Sequence, residues 1–260
     1  DQSCFIGGQC YREKIELRKK DWNTEYTRLT AVSESHECSI SQAQLLATVN
    51  AQMSFEDTVV AAAGSLPGDM HKLFCATASH QYHMEYGYSC MGYEVAGGLG
   101  VKMANPKGEV YVMVGDGSYL MLHGEILTSL QEQQKITLVL VINNSFGCID
   151  HLSKSCGSVG FGNQFRYRDS AGKLNGEFLS VDYAANLRSW GIEVSTATTH
   201  KELEVALVKA RGRSVSQGIV VNIDTDSTVA NYYSKWDVPV AAVAKSEKVK
   251  EARARYQQMF

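Results

Sequence analysis

The chain contains 260 residues, 44% of them hydrophobic and 20% charged, and carries a formal net charge of −3. A chain of this length can bury a sizeable core in one or two domains. The small net charge and the lack of long like-charged blocks argue against nucleic acids and anionic membrane surfaces as partners. No apolar run approaches the roughly twenty residues that a membrane-spanning helix needs. Seven cysteines, an odd number without a CxxC pair, indicate reduced thiols and a cytoplasmic location.

The first forty residues predict one amphipathic helix. Its apolar positions recur at helical spacing among charged residues and are Tyr11, Ile15, Trp22, Tyr26 and Leu29. We interpret residues 1–40 as a helix that connects this chain to an upstream region. A protein that begins here after loss of its initiator methionine would show the same pattern. Residues 41–260 are predicted to form one folded domain.

From Ser41, a suitable N-cap, helical and strand-like segments alternate along the chain. The predicted strands are 58–63, 108–114, 136–142, 192–195 and 218–224. The predicted helices are 41–53, 93–104, one around 126–130, 182–190, 200–211 and 245–259. This alternation predicts a three-layer α/β/α fold with a doubly wound, mainly parallel sheet of about six strands. Three glycines in the helix 93–104 indicate tight packing, because each costs roughly 1 kcal/mol relative to alanine.

The most informative segment runs from Gly115 to Asn144. A Gly-Asp-Gly triplet follows the strand 108–114, and an Asn-Asn pair follows the strand 136–142, with a helix between them. Strand, helix and strand make a βαβ unit, whose two strands are parallel. Asp116 and Asn144 should therefore both emerge at the carboxyl edge of the sheet, where open α/β folds bind their ligands.

The residue types at this edge predict a magnesium ion held against a diphosphate. Magnesium prefers about six oxygen ligands and is usually shared between protein and phosphate. A carboxylate, an amide oxygen and a backbone carbonyl can come from Asp116, Asn144 and Phe146. Three neighbouring residues suit phosphate binding. Gly115 and Gly117 lack a Cβ atom, so the backbone can approach a phosphate closely, and Ser118 offers a hydroxyl donor. The alternative is an ordinary βαβ turn in which the Asp and Asn side chains only cap helices.

The Gly-Asp-Gly and Asn-Asn pair at this separation resemble the signature of thiamine-diphosphate-dependent enzymes of the decarboxylase and acetolactate-synthase group. A second stretch, residues 89–100 (SCMGYEVAGGLG), agrees with it. The resemblance implies that Met91 wedges the cofactor into a bent shape. It also implies that the Met91 N–H and the Ser89 carbonyl bind the aminopyrimidine ring, and that thiamine diphosphate and Mg²⁺ are the cofactors.

Three longer stretches resemble the trihydroxycyclohexane-dione hydrolases of bacterial inositol breakdown, namely residues 83–104, 145–165 and 215–244. This resemblance implies a hydrolase that cleaves the carbon–carbon bond of a cyclic polyhydroxy 1,2-dione and gives 5-deoxy-glucuronate. The cofactor would carry the carbanion chemistry, and the protein would supply orientation and electrostatics.

One part of the family pattern is missing from this chain. In the family, a glutamate on a separate pyrimidine-binding domain activates the cofactor, and that domain usually precedes this one. Glu56, Glu85 and Glu94 are not expected to replace it, because they belong to the domain on the other side of the cofactor. We therefore expect no catalytic residue in this chain, which should be an inactive C-terminal piece of a longer polypeptide. The intact protein is expected to be a homo-oligomer.

Other functions stay open at this point. The nearest is another thiamine-diphosphate lyase or synthase, similar to acetolactate synthase, and a non-catalytic regulatory subunit would share the fold. A nicotinamide dehydrogenase is disfavoured, since residues 61–69 (AAAGSLPGD) do not match GxGxxG after the first strand.

Several segments outside the main motif are further candidates for ligand binding. Residues 145–180 show little regular pattern, and a polar, aromatic-rich loop of this length suits a polyhydroxylated or anionic substrate, although an ordered surface insertion is the alternative. The segment 227–243 either closes over the site or packs against the last helix. His80 and His83 form an HxxH pair, for which a polar loop near the cofactor is favoured over a zinc site.

Overall fold

The computed structural model of the protein describes residues 3–32, 40–85, 87–225, 229 and 238–258, with side chains from residue 11 onward. The chain divides into two compact units, residues 1–37 and 38–260. In the first unit, helix α1 spans Ser3–Thr30, and Trp22 stacks on Tyr26 with ring centroids 5.0 Å apart. A helix was predicted here, and its role as a connection to an upstream region remains a prediction.

The second unit is built from alternating strands and helices. Its strands are β1 (Ile40–Ser41), β2 (Thr58–Ala61), β3 (Tyr82–Met84), β4 (Val110–Gly115), β5 (Thr137–Ile142), β6 (Glu193–Ala197) and β7 (Gln217–Asp224). Its α-helices are α2 (Gln42–Gln52), α3 (Ser65–Leu73), α4 (Tyr93–Ala104), α5 (Asp116–Met121), α6 (Glu125–Gln131), α7 (Gly147–Ser155), α8 (Tyr183–Ser189), α9 (His200–Arg211) and α10 (Glu247–Gln257). No helix in these described ranges is long and apolar enough to cross a membrane.

The strands form one parallel sheet in the order β1-β7-β5-β4-β2-β3, and β6 pairs with β7 along the same side as β1. The register pairs Gly115 of β4 with Val141 of β5, and the two strands end almost level. The residues that follow them, 116 and 143–144, therefore reach the carboxyl edge of the sheet side by side.

Helices cover both faces of the sheet. Alternate residues of β4 and β5 pack into one core with α4, α6 and α8, for example Val112, Leu138, Val95, Ile126 and Leu187. On the opposite face lie α2, α3 and α9, and α2 contacts both of the others. The apolar strand runs are buried on both faces, as is usual for parallel sheets. The predicted three-layer α/β/α fold is confirmed.

The differences from the prediction lie in short or polar elements. Strands β1 and β3 contain two and three residues, which is too short for a sequence pattern, and they raise the strand count to seven. Helix α7 lies inside the segment 145–180, where little helical pattern was expected, so that expectation was wrong for residues 147–155. Of the segment 227–243, residues 229 and 238–243 are described, and the carbonyl of Val240 accepts a hydrogen bond of 2.9 Å from Arg253 of α10.

The glycines of α4 explain how closely this helix approaches the sheet. A Cβ atom at Gly98 would lie 2.3 Å from Cγ2 of Val112 on β4, and one at Gly97 would meet the ring of Tyr93. Gly98 thus confirms the predicted tight packing against the sheet, whereas the neighbour of Gly97 belongs to α4 itself. Gly100 does not support the prediction, because a Cβ atom there would meet nothing within 4 Å.

Candidate functional site

Asp116 lies at the end of β4, fully buried, and its carboxylate binds three backbone N–H groups. Its Oδ2 accepts from the N–H of Asn143 at 3.2 Å and of Asn144 at 2.6 Å. Its Oδ1 accepts from the N–H of Gly117 at 2.9 Å. The two halves of the motif are thus in direct contact at the carboxyl edge of the sheet. A carboxylate has about four lone-pair positions, so this one retains room for a further partner.

The protonation of Asp116 is set by two opposing effects. Burial raises the pKa of the carboxyl to about 6, and the hydrogen bonds from the N–H groups of Asn144, Gly117 and Asn143 act in the opposite direction. The desolvation cost of the charge is larger than these hydrogen bonds recover. A cation beside Oδ1 would favour the ionised form.

Asn144 occupies the left-handed region, with a φ of 54°. Asn tolerates this conformation better than most side chains. The loop beyond it is fixed by two backbone bonds, because the carbonyl of Asn144 accepts from Phe165 N–H at 2.9 Å and Phe146 N–H donates to Asn163 at 2.8 Å. The Phe146 carbonyl accepts from Asp150 N–H at 2.9 Å, which leaves its second lone pair for another donor or a cation.

The stretch 89–92, which we call the wedge loop, lies against the Gly-Asp-Gly turn. Gly92 has a φ of 92°, and a Cβ atom there would lie 2.6 Å from Cβ of Leu122. A Cβ atom at Gly117 would lie 2.7 Å from the Phe146 ring and 3.6 Å from the Met91 methyl group. Ser89 is exposed, with a φ of 53°. The structure thus brings Met91, Gly117 and Phe146 together.

The two glycines of the motif differ in what their missing side chains allow. The space beside Gly117 is filled by the Phe146 ring, so a side chain is excluded there by packing within the protein. A Cβ atom at Gly115 would meet nothing within 4 Å, which leaves open space at this position. Close approach of a phosphate to the backbone was expected at both glycines, and the structure leaves space for it at Gly115.

Glu94 was considered only as no replacement for the activating glutamate, yet its buried carboxylate bonds to Ser118, which directly follows the Gly-Asp-Gly triplet. The hydroxyl of Ser118 donates to both carboxylate oxygens, at 2.8 and 2.7 Å, and accepts from Gly92 N–H at 2.7 Å. The proton of Ser118, expected to face a phosphate, is directed to Glu94 instead. Burial raises the pKa of Glu94, and its hydrogen bonds, led by that from Ser118, act against this rise. The sequence signal that could have revealed this contact is an acidic residue, Glu94, placed in a turn of mostly small and apolar residues.

A model of the thiamine pyrophosphate enzymes, C-terminal TPP binding domain, matches residues 62–223 of this chain. That range includes the wedge loop and both strands of the βαβ unit. The chain belongs to this family. Thiamine pyrophosphate is the same compound as thiamine diphosphate, so the resemblance inferred from the motifs is confirmed.

Two relatives of this thiamine pyrophosphate enzyme domain show how much of a longer protein it resembles. It is 39% identical over 265 residues to 3D-(3,5/4)-trihydroxycyclohexane-1,2-dione hydrolase of Bacillus thuringiensis (strain Al Hakam), covering 93% of this chain and 41% of the relative. It is 40% identical over 246 residues to 3D-(3,5/4)-trihydroxycyclohexane-1,2-dione hydrolase 2 of Bacillus cereus, covering 94% and 37%. The chain thus spans about two fifths of the length of these curated relatives.

A solved structure supports the fold. The thiamine diphosphate-dependent 4-hydroxybenzoylformate decarboxylase of Rhodococcus jostii RHA1 aligns with a TM-score of 0.61 and 17% identity, over 75% of this chain and 35% of that one. At this identity the likeness concerns the fold alone.

The residues present fit a magnesium-bound diphosphate. Asp116 and Phe146 each retain an acceptor position, Asn144 adds an amide, and open space adjoins Gly115. Oxygen donors of this kind are those that Mg²⁺ prefers. The thiamine pyrophosphate enzyme domain therefore has the donor set for its cofactor, and the roles of the individual residues remain predictions.

A polar cleft of about 140 Å³ adjoins this donor set. Its polar lining includes Gln42, Asp69, Asn143, Ser145 and His151. Gln42 donates to Asp69 at 2.7 Å, and burial raises the pKa of the Asp69 carboxyl despite that hydrogen bond. From the segment 145–180, which was predicted to suit a substrate, Ser145, Gly147 and His151 line this cleft.

The other loop residues are held largely by contacts within the loop. Arg166 lies over the ring of Phe178, 3.6 Å from its centroid. Asp150 of α7 is buried and accepts from Lys154 at 2.6 Å. A role of these residues in substrate binding stays a prediction.

The HxxH pair does not form a metal site in this structure. His80 Nε2 lies 2.7 Å from the carbonyl of Phe55, and His83 Nε2 lies 2.7 Å from the hydroxyl of Tyr93. Among the residues that the structure describes, no group of three His, Cys, Asp or Glu side chains could hold a metal ion. The favoured interpretation, a polar loop, was wrong in its local structure, because His80 lies in a 3₁₀ turn and His83 in β3, and its nearness to the cofactor stays a prediction.

Proposed function

We propose that this chain is the C-terminal, cofactor-binding part of a thiamine-diphosphate-dependent hydrolase in inositol breakdown. Its substrate would be a cyclic polyhydroxy 1,2-dione, a trihydroxycyclohexane-dione, which is opened to 5-deoxy-glucuronate. The substrate is supported by the names of relatives that are 39–40% identical over more than nine tenths of this chain. The cofactor role rests on one observation, the buried Asp116 carboxylate held by the N–H of Asn144 with one acceptor position free.

The chain's own residues would bind and orient the cofactor. The carboxylate of Asp116, the amide oxygen of Asn144 and the carbonyl of Phe146 would hold Mg²⁺, which would offset the negative charge of the diphosphate. The Gly-Asp-Gly turn, residues 115–117, with Ser118, provides the diphosphate surface. Ser118 can donate to a phosphate only if its proton leaves Glu94.

The wedge loop would set the shape of the bound cofactor. As the resemblance implies, Met91 would be the residue that bends the cofactor, and its N–H together with the Ser89 carbonyl would bind the aminopyrimidine ring. Thiamine diphosphate, when bound, supplies a nucleophilic carbon and an electron sink for carbon–carbon bond cleavage. The polar cleft beside Asn143 offers carboxylate, amide and imidazole groups to a polyhydroxylated substrate.

Activation of the cofactor would require a glutamate outside this chain, on a pyrimidine-binding domain of the same polypeptide. We propose that the 260 residues alone are inactive, that the intact protein is a cytoplasmic homo-oligomer, and that its partner is the small-molecule substrate. The length of the relatives supports a further domain.

An activity assay tests this proposal. The isolated chain with thiamine diphosphate, Mg²⁺ and the cyclic dione should show no turnover, and measurable turnover would refute the need for another domain. The same chain joined to an upstream pyrimidine-binding domain should release the acyclic acid. Formation of an acetolactate-type product from pyruvate, without ring opening of the dione, would assign it to a different reaction of the family.

A further inference from the structure

Glu94 lies in the first turn of α4, with 1% of its surface exposed. Within the described ranges, the ion pairs of the protein do not include this carboxylate. A buried charge without a counter-ion is costly unless hydrogen bonds satisfy it. The surroundings of Glu94 supply such bonds, and their origin along the chain is informative.

The hydrogen-bond donors to Glu94 come from three segments far apart in sequence. Oε1 accepts from Ala63 N–H, just after β2, at 3.4 Å, and Oε2 accepts from Gly92 N–H in the wedge loop at 3.0 Å. Both oxygens accept from the hydroxyl of Ser118 in α5. One side chain thus joins the end of a strand, the wedge loop and the Gly-Asp-Gly turn.

These bonds fix the place where Met91 meets the turn. Gly92 donates to both Glu94 and Ser118, and it adopts a left-handed conformation directly against Leu122. The preceding residue, Met91, then has its methyl group beside Gly117. Loss of the carboxylate would leave the N–H of Gly92 with Ser118 alone and would free the loop to shift.

We infer that Glu94 is a positioning residue that holds the wedge loop against the diphosphate-binding turn and so sets the position of Met91. This rests on the proposed function. Glu94 would act through Met91 on the thiamine part of the cofactor, and it would leave the metal–diphosphate contacts of Asp116 unchanged.

The test uses two ligands that separate these parts of the cofactor. Calorimetry on the 260-residue chain with Mg²⁺ measures the affinity for thiamine diphosphate and for inorganic pyrophosphate, which lacks the thiamine part. In Glu94→Gln, one acceptor oxygen becomes an NH₂ group that faces a backbone N–H donor. Thiamine diphosphate should bind about tenfold more weakly, the size of one hydrogen bond to a charged group. The affinity for pyrophosphate should change less than about twofold, because the glutamine keeps one acceptor oxygen for the Ser118 hydroxyl, whose proton then stays directed away from the phosphate as before.

Two further variants connect the effect to the wedge loop. Met91→Ala should lower the affinity for thiamine diphosphate selectively, and Met91→Ala combined with Glu94→Gln should be no weaker than Met91→Ala alone, because coupled residues are not additive. Glu109→Gln is the control, because this carboxylate pairs with Lys135 at 2.7 Å just before β4. It therefore lies at the amino edge of the sheet, away from the carboxyl edge that carries the candidate site. It should leave the ratio of the two affinities unchanged.

Three results would overturn the inference. Equal weakening of both ligands in Glu94→Gln would indicate a general structural role. Unchanged affinities for both ligands in Glu94→Gln, with the unaltered chain binding both, would refute the inference and leave the cofactor site intact. Binding of neither ligand by the unaltered chain would refute the cofactor site and the inference with it. If Glu94→Gln does not fold by circular dichroism, Glu94→Asp, which keeps both acceptor oxygens on a shorter side chain, should show the same selective loss at smaller size.

Discussion

Two glycines in α4 provide a matched pair of substitutions that tests how the helix behind the wedge loop is seated. Gly98 is buried against β4, where a Cβ atom would lie 2.3 Å from Cγ2 of Val112, itself fully buried. Gly100 lies two residues further along the same helix and is exposed, with nothing within 4 Å of its Cβ position. Alanine at either position has the same intrinsic helix preference. The difference in unfolding free energy between the two variants therefore reports how the added methyl group packs.

The expected free energies have opposite signs. Alanine in place of glycine favours a helix interior by about 1 kcal/mol. Gly100→Ala should therefore stabilise the protein by about this amount. At Gly98 the methyl group also displaces Val112, a stiff side chain in a full core, and such overpacking typically costs about 1–3 kcal/mol. The net effect of Gly98→Ala should lie between about zero and 2 kcal/mol of destabilisation, some 1–3 kcal/mol below Gly100→Ala.

Urea unfolding followed by far-ultraviolet circular dichroism measures this difference. Equal denaturant dependences would show that the variants change stability and not the extent of unfolding. If Gly98→Ala proves as stable as Gly100→Ala, α4 does not approach β4 as closely as the structure indicates. The position of the wedge loop at its N-terminus would then be in doubt as well.

Three other predictions concern buried charges and the metal site. Arg211→Ala should destabilise the protein by about 1.5–3 kcal/mol in urea unfolding, because the almost fully buried Asp57 would lose its ion-pair partner and keep only the N–H groups of Ser54 and Glu109. The exposed Arg213→Ala should cost less than about 1 kcal/mol. Burial raises the pKa of Asp116 to about 6, so Mg²⁺ competes with a proton for its carboxylate. Mg²⁺ and pyrophosphate together should therefore raise the melting temperature at pH 7.5, and this rise should disappear as the pH falls through 6. A rise that persists at pH 5 would contradict the assignment of Asp116 as a metal ligand. Asn144→Gly should abolish this Mg²⁺-dependent rise in melting temperature. It should not lower the stability measured without metal, because glycine readily adopts the left-handed φ of 54°. A rise that is retained in this variant would exclude the Asn144 amide as a metal ligand.

The sequence was sufficient for the parts of the fold that have a strong periodic signal. The βαβ unit predicted the parallel pairing of β4 and β5, and the alternation of strands and helices predicted that the rest of the sheet is mainly parallel. Short elements carry no such signal, and β3 exists because its three residues complete an edge beside β2. Helix α7 was missed because burial does not follow hydrophobicity along it, since the charged Asp150 is buried and the apolar Ile149 is half exposed.

In the candidate site too, some features could be predicted from the sequence and others could not. Asp116 and Asn144 could be placed together because strand topology alone decides where they emerge. The contacts of Glu94 could not be predicted, because its partners Ala63 and Ser118 lie 31 and 24 residues away and meet it only in the folded chain. The filling of the space beside Gly117 by Phe146 is likewise a tertiary contact.

Calorimetric titration of the 260-residue chain with thiamine diphosphate, with and without Mg²⁺, tests the central claim most directly. Binding should require the metal ion and should be lost in Asp116→Ala, provided that circular dichroism shows the variant to be folded. An isotherm that is the same for Asp116→Ala as for the unaltered chain would contradict the assignment of this strand edge as the cofactor site.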